Sequence, residues 1–497
     1  MISETVARYR AYLEKLRAYR HAMGLMTYDM STIMPKGAGP VVGDTFGVLS
    51  EAVYDLVTSP ATEAMQAEIL AHRETVDPAL VRTAELAMEE RARIACIPKD
   101  EYVQYTIDQT TADQVWHEAK LKSDFSAFLP HLEKLIAAKK RFARYYRPDA
   151  PVYDMLLDSY EKGLNTETLD AFFQTVRDRL VPVIAKIKEQ PDVSFLHRHY
   201  PVERQRVFSE YLMDVLGLDK THCVIGETEH PFTTSFTKHD VRITTHYHED
   251  AVELSMYSVI HEGGHATYER NVADEIARLP IGKGVSMSVH ESQSRFFENI
   301  IGRSEPFIEA IFPKMQEIFP EQLKDVTARQ FYVAVNKAEP SLIRTEADEL
   351  TYPLHVLIRY ELEKRLFNGD LTAKDLPAEW NRMYREILGV DVPNDRKGVL
   401  QDSHWATGLF GYFPSYAIGS AYGAQLIKRL ERELDVWGSV RAGDLGPIVE
   451  WLTAHIYRFG AMKDPGKLME EAFGAPFDPT YYTDYLTKKY TELYRLA

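Results

Sequence analysis

Cysteine is almost missing from this chain. Two residues in 497, Cys96 and Cys223, cannot staple a fold, so a disulfide scaffold is excluded and a reducing compartment is expected. Long apolar runs are missing as well. No stretch approaches the roughly 18 residues that a membrane helix needs. The opening Met-Ile-Ser-Glu-Thr-Val-Ala-Arg lacks the apolar segment of a signal peptide, so the sequence reads as soluble, cytoplasmic and not membrane-bound. Positive charge is in deficit, with 58 Lys and Arg against 74 Asp and Glu and a net charge of −16. A protein that grips phosphate backbones is built from Lys and Arg, so a nucleic-acid partner is disfavoured. Low-complexity tracts, long linkers and fixed-period repeats are also absent.

Apolar side chains and histidine are plentiful. Hydrophobic residues make up 45% and aromatics 11%, enough to bury a large core. Length alone suggests two to three domains, although single large helical enzymes exist. Of 17 histidines, eight fall between His222 and His290.

The periodicity is mostly helical. Val6, Tyr9, Leu13, Leu16 and Tyr19 recur at spacings of three and four and predict an amphipathic helix over 6–19. A second is expected over 164–189, capped by Asn165 or Thr166. The same pattern returns in 353–367 and in 447–459, where Pro447 opens the helix and Gly460 closes it. Residues 231–248 differ. They are rich in Thr, Val, Ile, Phe and Tyr around Lys238-His239-Asp240 and predict a hairpin. Small sheets beside metal-site helices can hold a peptide in extended form.

Residues 261–265 read His-Glu-Gly-Gly-His. Positions i and i+4 of a helix share one face, so His261 and His265 can offer two imidazole nitrogens to one zinc ion. Glu262 lies one residue round and can reach a water on the open side of the metal. Gly263 and Gly264 oppose a helix by roughly 1 kcal/mol each, which suggests close approach of another backbone or a substrate. His117-Glu118 is a decoy, with Leu121 where the second histidine would stand. A catalytic zinc wants three protein ligands and an open position. Glu291, brought back by the turn at 279–284, is the favoured third, and His290 competes with it. The bland alternatives are a solvated charge for Glu291 and structural histidines in a helical scaffold.

These residues do not stand alone. Six motifs follow in order over about 175 residues: His230-Pro231-Phe232, Asp240-Val-Arg242-Ile-Thr244, the pentapeptide, His290-Glu291-Ser292-Gln293, Ile343-Arg344-Thr-Glu-Ala347-Asp348, and Gly398-Val-Leu-Gln401-Asp402-Ser-His404-Trp405. In these the chain resembles the carboxypeptidase Taq family of metallocarboxypeptidases. Tyr28-Asp29 resembles an early family motif that usually has Trp before the Asp. The resemblance implies a mainly α-helical fold like that of neurolysin and angiotensin-converting enzyme, with two lobes flanking a deep substrate groove and a small β-sheet beside the metal. One catalytic domain over 1–497 then replaces the two or three suggested by length. It implies removal of C-terminal residues from peptides with broad specificity, usually by a homodimer. By motif, His261, His265 and Glu291 would hold the metal and Glu262 would be the acid/base.

The remaining roles follow from what the chemistry needs. A tetrahedral oxyanion needs donors; Tyr412, Tyr416 and His230 are candidates, and each could instead be structural. An exopeptidase must recognise a free carboxylate, which suits a guanidinium. Arg344 is favoured over Arg242, and Asp348 or Asp240 could tie either up in an internal salt bridge. Gln401 and His404, with Asp402, read as substrate contacts or as a structural polar network. Ligand histidines usually donate their second nitrogen to a carboxylate. The position four past Glu291 is Arg295, which leaves Glu298 or Asp348 for that task. Zinc suits this ligand set, and cobalt or manganese could substitute. An endo-oligopeptidase using the same groove is the competing enzymatic reading.

Overall fold

A computed structural model describes residues 2–496. It is mainly helical, as the periodicity predicts. Among the described residues no helix is long and apolar enough to cross a membrane. The first helix runs over Ile2–Thr32, well beyond the amphipathic stretch at 6–19, because its second half docks on the sheet. Tyr9, Leu13 and Leu16 are buried as the spacing requires, with Thr5 beside them. Asn165 accepts from the Thr168 amide at 2.9 Å and caps Thr166–Lys186. Tyr352–Asn368 ends on Gly369 in the left-handed region, where glycine carries no Cβ penalty. The 447–459 segment divides into Gly446–His455 and a short turn Tyr457–Phe459 before Gly460.

The hairpin forms, and a third strand joins it. Strands β1 (Cys223–Glu227), β2 (Thr233–Thr237) and β3 (Asp240–Thr245) lie in the order β1-β3-β2. β2 and β3 pair antiparallel, and β1 pairs parallel with β3. The sequence of β1, Cys-Val-Ile-Gly-Glu, has no clear alternation and gives no strand signal of its own. The register leaves β2 at a sheet edge, next to the helix Val252–Arg270 that carries the pentapeptide.

Three helices pack unusually closely around Glu291. Val252–Arg270 lies against Met287–Arg295, and Pro414–Glu433 covers the latter from another side. Gly264 permits the first contact. A Cβ there would stand 2.8 Å from both Gln293 O and Ser294 Cα. Gly419 permits the second, with its notional Cβ 3.0 Å from Glu291 Cβ and from Ser288 O. At Gly263 the neighbour is the Leu216 side chain, not backbone. The two glycines of the pentapeptide thus have different reasons.

That difference is testable. Gly264→Ala must push two helix backbones apart, an overpacking cost of about 1–3 kcal/mol. Gly263→Ala meets a flexible side chain and regains helix propensity. Urea unfolding should show the larger loss for Gly264→Ala; a larger loss at Gly263 would contradict the backbone-contact account.

Candidate metal centre

The helix Val252–Arg270 presents His261 and His265 on one face, as four-residue spacing demands. Glu291 faces them from Met287–Arg295. Its Oε2 lies 3.8 Å from His261 Nε2 and 3.7 Å from His265 Nε2, and the three ligand atoms fall within 4.8 Å of one another. No other set of three His, Cys, Asp or Glu side chains converges this way among the described residues.

The atoms pointing away from this centre are all engaged. His261 Nδ1 is 2.8 Å from Glu298 Oε2. His265 Nδ1 is 2.5 Å from His290 Nδ1. Arg295 Nε donates to Glu291 Oε1 at 2.8 Å, and its Nη1 to Glu298 Oε2 at 3.3 Å. Glu291, Arg295 and Glu298 share a face through spacings of four and three. The carboxylate partner that the sequence left open between Glu298 and Asp348 is therefore Glu298. Asp348 instead accepts from the backbone of Glu339, Leu350 and Thr351.

The electrostatics fit a cation. Burial lowers the pKa of His261, but Glu291 and Glu298 outweigh it and shift the imidazole upward. Burial and then the neighbouring His290 and His261 hold His265 well below the ordinary histidine range, so it is neutral, as a ligand must be. Two converging imidazole nitrogens and one carboxylate oxygen, with their far sides fixed, form the donor set of an open divalent-metal site.

Glu262 is buried beside this centre. Thr233, at the start of β2, donates to Glu262 Oε2 at 2.6 Å and to its carbonyl at 3.0 Å. Burial pushes the Glu262 carboxyl above its ordinary value, against the pull of His261 and Thr233.

The two arginines have different surroundings. Arg242 gives Nε and Nη2 to the two oxygens of Asp240 at 2.9 and 3.0 Å, and packs on the rings of Tyr28 and Phe236. Arg344 gives Nε and Nη2 to Asp402 Oδ1 and Nη1 to the Tyr352 hydroxyl. Asp402 also accepts from Arg359 Nε at 2.7 Å. Burial works to raise the Asp402 carboxyl, but Arg359 and Arg344 outweigh it and hold it well below the carboxylate range. Two buried guanidiniums therefore share one carboxylate. Gln401 belongs to this network: its Oε1 accepts from Arg344 N and Arg359 Nη2, and its amide donates to Leu342 O and Lys397 O.

Tyr416 stacks on Arg344 at 4.9 Å, and its hydroxyl lies 3.1 Å from His404 Nε2. Burial lowers His404 to about 4, against the pull of Asp402, so it is neutral near pH 7. Burial and the charge of Glu291 push Tyr412 up to about 12. Gly411, at φ +86°, turns the chain so that Tyr412 meets Tyr160 and Tyr416. Its amide donates to Glu363 Oε2 at 2.7 Å. Glu363 also accepts from Tyr153 and, on Oε1, from Trp405 Nε1. His230 is exposed on the segment between β1 and β2, apart from these contacts. Sequence reasoning missed Glu269, Arg359 and Glu363. Only Glu269 carried a signal, lying one further turn past His265 on the same helix.

Helical fold, edge strand and converging His-His-Glu set together define a helical metallopeptidase. The profile of the carboxypeptidase Taq (M32) metallopeptidase family matches residues 8–490. Carboxypeptidase 1 of Bacillus subtilis is 38% identical over 488 residues, 97% of either chain. Thermostable carboxypeptidase 1 of Thermus thermophilus is 38% identical over 98% of this chain and 99% of its own. The crystal structure of a carboxypeptidase from Deinococcus radiodurans R1 superposes with a TM-score of 0.96 at 32% identity, over 99% of this chain and 100% of that one. The chain belongs to the carboxypeptidase Taq family and is by class a metallocarboxypeptidase.

Glu363 offers a test of how the tyrosine turn is held. Glu363→Gln would place an amide donor against Trp405 Nε1 or the Gly411 amide. A buried donor left unpaired costs about 1–3 kcal/mol. The variant should lower the unfolding midpoint accordingly; an unchanged midpoint would show that the turn does not depend on this carboxylate.

Proposed function

We propose that this protein is a zinc carboxypeptidase, with cobalt or manganese as possible substitutes, that shortens peptides of broad sequence from a free C-terminus. The observation that carries the reading is the convergence of His261, His265 and Glu291 with all their outward atoms engaged. Zinc at that point supplies Lewis acidity toward the scissile carbonyl and acidifies water. Glu262 is the general base. Thr233 occupies its Oε2, which leaves Oε1 to take the proton from the attacking water and hand it to the leaving amine. The free edge of β2 beside Glu262 can pair with an extended substrate backbone.

Arg344 is the stronger candidate for the substrate carboxylate. Asp402 and Tyr352 take three of its five N–H donors, and two remain. Arg344 and Arg359 together outnumber Asp402 in charge, so an anion is wanted there. Arg242 already has a matched partner in Asp240 and reads as structural. Tyr412 and Tyr416 are the candidate oxyanion donors, with His404 orienting Tyr416. Exposed His230 is a weaker candidate. Gln401 reads as the support of both arginines. The whole chain, 1–497, acts as one catalytic domain with lobes flanking the groove. It works as a cytoplasmic homodimer, a reading that rests on the family resemblance and the scarcity of cysteine.

A time course on an unblocked peptide should show sequential loss of C-terminal residues, stopping on chelation. A C-terminally amidated peptide should resist. Internal fragments would instead identify an endo-oligopeptidase. Glu262→Gln should lose about 10²–10⁴-fold in kcat while retaining zinc. A base must be ionised, and burial raises the Glu262 pKa above 4.5. Activity should therefore fall as pH drops through a midpoint above that value. An acid limb at or below 4.5 in kcat/KM would remove Glu262 from the role.

A further inference from the structure

A ligand imidazole must keep the nitrogen that faces the metal free of a proton, so its second nitrogen carries the hydrogen and needs an acceptor. For His261 that acceptor is the Glu298 carboxylate. For His265 it is another imidazole. His265 Nδ1 lies 2.5 Å from His290 Nδ1, and His290 Nε2 lies 2.9 Å from Glu269 Oε1.

Two ring nitrogens that close can share only one proton. With Nε2 of His265 turned toward the metal position, the shared proton belongs to His265 Nδ1, and His290 Nδ1 must accept it. The proton of neutral His290 then sits on Nε2 and points at Glu269. Glu269 is placed for this role: it is 8% exposed in its side chain, and its Oε1 also accepts from the Gly284 amide at 3.0 Å. The His290 ring has little freedom to turn. Tyr268 packs on it at 5.4 Å, and a Cβ on Gly284 would collide with it.

We propose that His290 is a positioning residue of the metal centre. The chain Glu269–His290–His265 fixes the tautomer of His265 and keeps its Nε2 open for the ion before the ion arrives. His290, although adjacent to Glu291, is then not a ligand, because both its nitrogens are committed elsewhere. This inference rests on the assignment of His265 as a ligand, and the experiment separates the two.

Asparagine places Oδ1 where histidine has Nδ1, and glutamine places its terminal amide near Nε2. His290→Asn therefore keeps the acceptor for His265 and loses the link to Glu269. His290→Gln does the opposite. In competition with a chromogenic chelator, His290→Asn should bind zinc within about threefold of the unaltered protein, and His290→Gln about ten- to hundredfold more weakly. Equal affinities, or the reverse order, would overturn the proposal, since mere space filling does not distinguish the two. Should either variant fail to fold by circular dichroism, histidine ¹⁵N spectra of the unaltered, metal-free protein decide. They should show His265 protonated at Nδ1 and His290 at Nε2, and a proton on His290 Nδ1 would overturn the relay. Failure of the unaltered protein to take up zinc would count against the metal site instead, and the ¹⁵N spectra would still judge the relay.

Discussion

The constraint on which the rest depends is the approach of three helix backbones around Glu291. A carboxylate carried on its own helix must reach two histidines on another, and its side chain is short. Gly264 on one flank and Gly419 on the other remove the Cβ atoms that would hold the helices apart. Glycine in a helix interior sacrifices about 1 kcal/mol each, and that loss is tolerated here because it brings Glu291 Oε2 within 3.8 Å of both Nε2 atoms. The same packing carries Arg295 and Glu298 into place, so the outer partners of Glu291 and His261 come from the helix that supplies Glu291 and its continuation. It also carries the tyrosine segment, because the helix bearing Gly419 begins two residues after Tyr412.

Burying so many charges is costly unless each finds a partner. Around the metal position the partners are mutual: Glu298 faces Arg295, Arg303 and His261, and its carboxyl stays ionised far below the ordinary range because Arg295, the His261 hydrogen bond and Arg303 outweigh its burial. Lys489 and Glu349 form a further buried pair at 2.6 Å. The Arg344–Asp402–Arg359 group departs from this rule, with two cations on one anion. A chain with a net charge of −16 thus places two arginines on one buried aspartate, with the buried Glu363 carboxyl near Arg359. Overall charge therefore says little about what the interior binds.

The chemistry was legible in the sequence where it rests on short spacing. His261 and His265 are four apart on one helix, and the cost of Gly263-Gly264 already signalled a close neighbour. The hairpin over 231–248 was readable because β2 and β3 are joined by two residues and carry strand formers. β1 was not, since its pairing with β3 is parallel and its residues show no period of two. The first helix outruns its amphipathic stretch: after Tyr19 the apolar stripe is lost, and tertiary contacts of Gly24 and Tyr28 with the sheet sustain it instead. Arg359 and Glu363 were invisible for a related reason: the carboxylate of Asp402 and the Trp405 and Gly411 donors they engage lie more than forty positions away, and nothing local marks a buried charge as paired. His290 shows the limit differently. As a residue type beside Glu291 it competed for the metal, and only the positions of Glu269 and His265 around its ring remove it from that list.

The motifs shared with the family divide by what they hold. Tyr28, Phe232, Arg242 and Thr244 come from three motifs and meet on the sheet. Phe232 N donates to Thr244 Oγ1, which in turn donates to Phe232 O, and the Tyr28 ring lies between Phe232 and the Arg242 guanidinium. These contacts tie the edge strand β2 to β3 and to the first helix, and Thr233 of that strand donates to Glu262. The Arg344, Gln401 and Asp402 group is as densely bonded but not balanced in charge. Of two arginines in matched motifs, Arg242 faces a carboxylate of its own in Asp240, whereas Arg344 shares Asp402 with Arg359.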